Sequence, residues 1–198
     1  MLRSQALSAL ELGAVPAHGR GVDAREATVA ELVVAVQRGD RAAFGTLYER
    51  FHRVVHAVAL ARVPACDAGD VVQDVFADVW SKLARLREPA AFPGWIMTMA
   101  RNRATDAARR RRPVDDAAAL AADLAVAPPP RIEAAAALRA IRELPDTYRE
   151  TLIMRLVEDL SGPEIAEHTG MTPDSVRVHL HRGMKLLRER LGGEGGHP

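Results

Sequence analysis

The segment PEIAEHTGMTPDSVRVHLHRGMKLLRERL, Pro163 to Leu191, restricts the fold more than any other part of this chain. A short helix with Ile165 and Ala166 facing inward runs into Gly170. A turn follows, and then a second helix with Thr172 at its cap and Pro173 at its first position. This is the signature of a helix-turn-helix. At roughly 100° per residue, Val176, Leu180, Met184, Leu187 and Leu191 gather on one face of the second helix. Arg177, Val178, His181, Arg182, Lys185 and Arg188 occupy the other. A helix of this kind fits the major groove. There an arginine can make a bidentate bond to guanine, an apolar side chain can touch a thymine methyl, and Arg or Lys can neutralise phosphates.

The rest of the chain is also written in helical periodicity. Leu32, Val33 and Val36 precede a Gly39-Asp40 break. Phe44, Leu47, Tyr48, Phe51, Val54, Val55 and Val58 then recur at three- and four-residue spacing until Pro64. A third helix is expected from about Ala68 to Leu86 and a fourth from about Phe92 to Arg111. Pro113 to Arg131 is rich in Ala, Asp and Pro and ends in Pro128-Pro129-Pro130, which predicts an extended linker. Beyond it, breaks at Leu144-Pro145, Ser161-Gly162-Pro163 and Gly170 to Pro173 predict four short helices.

The reading is an all-α protein of two small helical domains joined by a flexible acidic, Pro-rich linker. It divides into a mobile extension (1–25), a first domain (26–112), the linker (113–131), a second domain carrying the helix-turn-helix (132–191) and a tail (192–198). No window approaches the roughly 18 to 20 apolar residues needed to cross a bilayer, so a cytoplasmic protein without membrane insertion is expected. Cys66 is the only cysteine, which excludes an internal disulfide and a multi-cysteine zinc site.

A formal net charge of +1 says little until the charges are placed along the chain. Asp67 to Trp80 carries Asp67, Asp70, Asp74 and Asp78 with no Lys or Arg. Ser81 to Arg112 carries nine bases against Glu88 and Asp106. An acidic surface beside a basic one implies two different partners. On the acidic helix, Val72, Val75, Phe76 and Val79 form the buried stripe, and Asp70, Gln73, Asp74 and Asp78 lie beside it. Taken alone, that polar stripe reads more readily as a plain solvated face. In the fourth helix, Trp95, Ile96, Met99 and Ala100 form the apolar side, with Trp95 expected in the core. Thr98, Arg101, Asn102, Thr105 and Arg109 project opposite, mixing hydrogen-bonding groups with cations as nucleic-acid recognition requires. The run Arg109 to Arg112 adds phosphate attraction.

These segments, in this order, resemble the extracytoplasmic-function (ECF) sigma factors, through AFGTLYERFHRVV (Ala43 to Val55), DAGDVVQDVFADVW (Asp67 to Trp80), FPGWIMTMARNRATDAARRR (from Phe92) and Leu144 to Leu191. The resemblance implies that the first domain docks on the clamp helices of the largest subunit of bacterial RNA polymerase core through Asp70, Gln73 and Asp74. It implies that Arg101, Asn102, Thr105 and Arg109, with the Lys82 to Trp95 connection, engage the melted minus-10 strand, with a flipped base captured and no covalent chemistry. Arg177, Val178, His181 and Arg182 would read the minus-35 element, with Lys185 near phosphates. The linker, with Asp115, Asp116 and Asp123, resembles the connector that passes through the polymerase cleft. An anti-sigma factor is implied as a further partner, and no cofactor or catalytic residue. Gly69 departs from the pattern, standing where an acidic residue is common.

Two rivals remain at this point. A stand-alone helix-turn-helix regulator would bind duplex DNA without polymerase, usually as a dimer reading two half-sites. A metalloenzyme would use His52 and His56, at i, i+4 on one helix, with Cys66 as a third ligand, although no HExxH glutamate is present.

Overall fold

The computed structural model of the chain describes residues 27–110 and 129–193. The expected mobile extension 1–25, most of the linker with Asp115, Asp116 and Asp123, and the end of the tail lie outside these residues. Within them the elements are α1 (Val29–Gln37), α2 (Arg41–Leu60), α3 (Ala65–Lys82), α4 (Phe92–Arg110), α5 (Pro129–Arg142), α6 (Asp146–Leu156), α7 (Gly162–Thr169) and α8 (Pro173–Gly193). Two 3-10 turns, Leu83–Arg85 and Pro89–Ala91, join α3 to α4. No strand occurs among the described residues.

Local chemistry sets the helix starts. Thr28 and Glu31 form a reciprocal capping box on α1, and Asp40 accepts from the backbone N–H groups of Ala42 and Ala43 at the start of α2. Ser161 and Glu164 form a second capping box on α7. These pairings hold both glutamates below the ordinary carboxylate range, through the backbone and side-chain bonds from Thr28 and the side-chain and backbone bonds from Ser161.

The first unit is built around α2, whose Leu47, Phe51, Val54, Val55 and Val58 are fully buried. α3 packs Val72, Val75, Phe76 and Val79 against it, and α4 packs Ile96, Met97, Ala100 and Ala104. The Gln37 side-chain amide donates to the Leu83 and Leu86 carbonyls at 3.0 and 2.8 Å, tying the end of α1 to the turn after α3. Phe92 is fully buried, edge-on to Phe51. Trp95 is half-buried against the core, and the methionine inside is Met97 rather than Met99.

The second unit is α5 to α8 around Ile141, Leu144, Leu152, Ile153, Leu160, Ile165, Val176 and Leu187. Gly170 ends α7 in the left-handed conformation, φ 71°, which glycine adopts without the Cβ penalty other residues meet. Ser175 N–H donates to Thr172 Oγ1 at 3.2 Å, the cap expected from the sequence.

Two boundaries differ from expectation. Pro129 and Pro130 are not extended but open α5. Proline is tolerated in the first turn, where the missing N–H has no intrahelical partner, so a proline run is compatible with a helix start as well as a linker. α3 begins at Ala65 rather than Ala68, because Pro64, with ψ 157°, is its cap and not only the stop after α2.

The two units are in contact, with α2 against α6 and α7, and α4 against α7. Arg142 donates to the Leu60 and Val63 carbonyls, both at 2.8 Å, and Arg149 to the Ala61 carbonyl at 3.2 Å. Arginines of the second unit thus satisfy carbonyls at the C-terminal end of α2, which no intrahelical N–H reaches. Phe51 and His168 meet across the contact with ring centroids 5.0 Å apart and planes tilted by 43°.

Candidate nucleic-acid interface

Burying the apolar stripe of α8 fixes which side chains face outward. Val176 and Leu187 are buried, Leu180 and Met184 half-buried, and Leu191 exposed. Arg177, Val178, His181, Arg182 and Lys185 are all exposed, so the four residues expected to read bases and the lysine expected near phosphates share one accessible face. Arg177 makes only a solvated i, i+3 contact with Asp174 at 3.2 Å, and Lys185 a 4.0 Å contact with Glu189. Exposed pairs of this kind are weak and are readily exchanged for phosphate.

What holds α8 at its angle is Gly183. A Cβ there would meet Leu152 Cδ1 at 3.0 Å and Tyr148 Cβ at 3.1 Å, so glycine permits α8 to lie directly on α6. His179 stands edge-on to the Tyr148 ring, and its Nδ1 has no hydrogen-bond partner.

On α4, Asn102 and Arg109 are exposed and Thr105 is half-buried. Thr98 faces out, but its hydroxyl is taken by the Gly94 carbonyl of its own helix at 2.9 Å. Arg101 is engaged elsewhere. Its guanidinium donates Nε to both Glu150 carboxylate oxygens, at 3.0 and 3.2 Å, and Nη2 to Oε2 at 2.8 Å. The Glu150 hydrogen bonds raise its pKa further, against the opposing effect of burial.

On α3, Asp70 and Gln73 are exposed and Asp74 is half-buried, all on one side of the helix. Asp78 is not part of that free stripe. It accepts from Arg103 Nε at 2.7 Å and lies 3.1 Å from Lys82 Nζ. Burial would raise this carboxyl, but the Arg103 and Lys82 bonds outweigh it and hold it below its ordinary value. Sequence reasoning missed the aromatic patch beside the acidic residues: Tyr48 and Trp80 are 41% and 49% exposed. Phe44 meets Trp80 at 4.8 Å and Tyr48 meets Phe76 at 4.6 Å between ring centroids. Large aromatics at the margin of a buried stripe were the available signal, since such rings are rarely left half in water without a partner to cover them.

The residues of the metal-site rival are separately engaged. His52 Nδ1 lies 3.0 Å from the Glu49 carbonyl, His56 Nδ1 lies 2.6 Å from Glu158, and Cys66 is exposed next to Asp67. No metal-holding group of His, Cys, Asp and Glu occurs among the described residues.

An exposed basic recognition helix on a helix-turn-helix, joined to a helical unit with its own acidic, aromatic and basic faces, defines a DNA-recognition protein with a second, protein-binding function. Comparison with known proteins narrows this class. Residues 47–114 match the family model of Sigma-70 region 2, and residues 134–187 match that of Sigma-70 region 4. The chain is 33% identical over 130 residues to the RNA polymerase sigma factor CarQ of Myxococcus xanthus, a match spanning 63% of this chain and 75% of that one. It is 28% identical to the ECF RNA polymerase sigma-E factor of Escherichia coli K12 across 81% of this chain and 92% of that one. It is also 32% identical to the probable RNA polymerase sigma factor RfaY of Xanthomonas campestris over 77% of this chain, which spans only 41% of RfaY. Among solved structures, that of CnrH in complex with the cytosolic domain of CnrY shares the fold, with a TM-score of 0.57 and 24% identity over 83% of this chain and 97% of that one. The chain belongs to the ECF family of RNA polymerase sigma factors.

Proposed function

We propose that this chain is a promoter-recognition subunit that joins bacterial RNA polymerase core, reads the minus-35 and minus-10 elements and promotes transcription initiation without catalysing a reaction itself. Family membership carries this reading, and the distribution of exposed groups supports it. Asp70, Gln73 and Asp74 form the docking face for the clamp helices of the largest polymerase subunit, extended by Tyr48 and Trp80. Arg101, Asn102, Thr105 and Arg109 engage the melted minus-10 strand, where cations hold the backbone and polar side chains read unstacked bases. Arg177, Val178, His181 and Arg182 read the minus-35 duplex in the major groove, and Lys185 neutralises phosphate. The protein acts in the cytoplasm, where core polymerase and promoter are; no described helix is long and apolar enough to cross a membrane. CnrH is found with the cytosolic domain of CnrY, and by analogy an anti-sigma factor restrains this chain.

The test is transcription by sigma-free core polymerase supplied with this protein, on a library of promoters from its own genome, with an Asp70→Lys plus Asp74→Lys variant beside it. Promoter-specific transcripts that vanish with the variant are expected. Duplex binding by the protein alone, with no core association, would instead establish a stand-alone regulator.

A further inference from the structure

The outward stripe of α8 begins one turn before Arg177. Asp174, the second residue of the helix, precedes Arg177 by three positions, Val178 by four and His181 by seven, so it lies on the same face. Its side chain is 87% exposed and that of Arg177 79%. Arg177 Nη2 donates to Asp174 Oδ1 at 3.2 Å, and Oδ2 has no protein partner among the described residues.

A carboxylate is the odd charge on a face built to meet DNA. Recognition helices bring their N-terminal residues to the base edges, and a carboxylate turned towards phosphates would be repelled. An acidic first turn suits the helix macrodipole, but that role is served on any side of the turn and needs no arginine beside it. On a base edge a carboxylate can only accept, and the donors of the major groove are the amino groups of cytosine and adenine.

The neighbouring guanidinium decides between them. A G·C pair shows the guanine N7 and O6 acceptors and then the cytosine N4 donor. O6 and N4 are joined by a Watson–Crick hydrogen bond and so lie about 2.9 Å apart, close to the 3.2 Å between Arg177 Nη2 and Asp174 Oδ1. Each keeps one lone pair or one hydrogen for the groove. The guanidinium has five N–H donors, of which the Asp174 bond uses one, so a fork onto O6 and N7 remains. Adenine paired with thymine presents acceptor, donor, acceptor in the same row. There the fork would meet a donor and the carboxylate an acceptor.

We propose that Asp174 and Arg177 read a single G·C pair of the minus-35 element as one unit, Arg177 donating to guanine N7 and O6 while Asp174 accepts from the 4-amino group of the paired cytosine. The proposal rests on the reading of α8 as the minus-35 face and adds Asp174 as a specificity-determining residue. The exposed ion pair contributes little in water. In the groove, with water displaced, the carboxylate fixes the direction of the fork and supplies the acceptor. Because the unit has a donor end and an acceptor end, it also tells which strand carries the guanine.

The test is selection from duplexes randomised over the minus-35 element, by the full chain with and without core polymerase. The parent should select G·C at one position. Arg177→Ala should relax that position, and Asp174→Ala should lower preference at the same position roughly tenfold while leaving the others unchanged. In the selected duplex, the cytosine of that pair is then replaced by 2-pyrimidinone, which lacks the 4-amino group. This should weaken binding of the parent roughly tenfold and leave the Asp174→Ala variant unaffected. A uniform loss across all sequences in Asp174→Ala would reduce Asp174 to a helix-end charge and overturn the proposal. So would relaxation of two different positions by the two variants, or equal weakening of parent and variant by the analogue. Dependence on core is read separately. Selection of the G·C pair by the chain alone, with none gained from core, would count against the sigma reading and leave the reading unit standing. Core-dependent selection insensitive to Asp174 would do the reverse.

Discussion

Arg103 of α4 donates its Nε–H to the Asp78 carboxylate of α3 at 2.7 Å, an ion pair that ties the acidic helix to the basic one beside their apolar contact. Asp78 is held below its ordinary pKa of 3.8, the Arg103 and Lys82 bonds outweighing burial. A carboxyl depressed in the folded state contributes stability that is complete above the unfolded pKa and is lost as pH falls through the folded one. Asp78→Asn should therefore lower stability by about 1 kcal/mol at neutral pH, a partly exposed charge-assisted bond being lost. Denaturant titrations should show the gap between variant and parent narrowing below pH 3.8. A gap that stayed constant down to acid pH would mean that the pair is silent.

His168 predicts a second pH dependence, in a higher range. Its ring is buried against Phe51 and its Nδ1 has no hydrogen-bond partner. Burial lowers its pKa from 6.5, with Arg50 and Arg53 acting in the same direction and Glu164 and Glu167 opposing. The unfolded chain therefore takes up a proton before the folded one does. Stability should be unaffected above about pH 6.5 and should decline as pH falls below it towards the depressed folded value. His168→Leu should flatten that part of the stability curve, measured by urea unfolding between pH 7 and 5.

The same substitution should have opposite effects at two glycines. Gly69 lies exposed on α3 with nothing within 4 Å of where a Cβ would stand, so Gly69→Ala should stabilise the helix by about 0.5 to 1 kcal/mol. That corresponds to a Tm rise of roughly 1 to 4 °C. Gly183→Ala places a methyl group 3.0 Å from Leu152 Cδ1 and should cost about 1 to 3 kcal/mol. Thermal unfolding of both variants side by side checks the pair.

The helices were legible in the sequence because their stops are chemical: Gly39-Asp40, Pro64, Gly170 and Thr172-Pro173 each break or cap a helix by local rules that hold in any fold. The exposed face of α8 followed from the same periodicity. Two local signals went unread, the Thr28/Glu31 and Ser161/Glu164 capping boxes, which are spelled out in the sequence as T-x-x-E and S-x-x-E. The Arg101–Glu150 contact was not legible. The two residues are 49 positions apart, and nothing in either helix's own pattern marks the other as its partner. Asp78 looked like its neighbours Asp70 and Asp74 for the same reason: a stripe of carboxylates does not reveal which one meets an arginine from the next helix.

On α8 the exposed side chains divide by what they can touch, and this separates two measurable effects. Arg182 and Arg177 can present a guanidinium fork to a base edge, whereas the Lys185 ammonium is a point charge suited to phosphate. Arg182→Ala should weaken binding of the minus-35 duplex by about 1 to 3 kcal/mol and relax preference at one base position. Lys185→Ala should weaken all sequences alike and reduce the slope of log affinity against log salt by about 1, through loss of one released counterion. Binding isotherms at several salt concentrations, with polymerase present to hold the complex, distinguish the two. A Lys185 variant that changed base preference at constant salt slope would place that residue on a base edge and reverse the assignment.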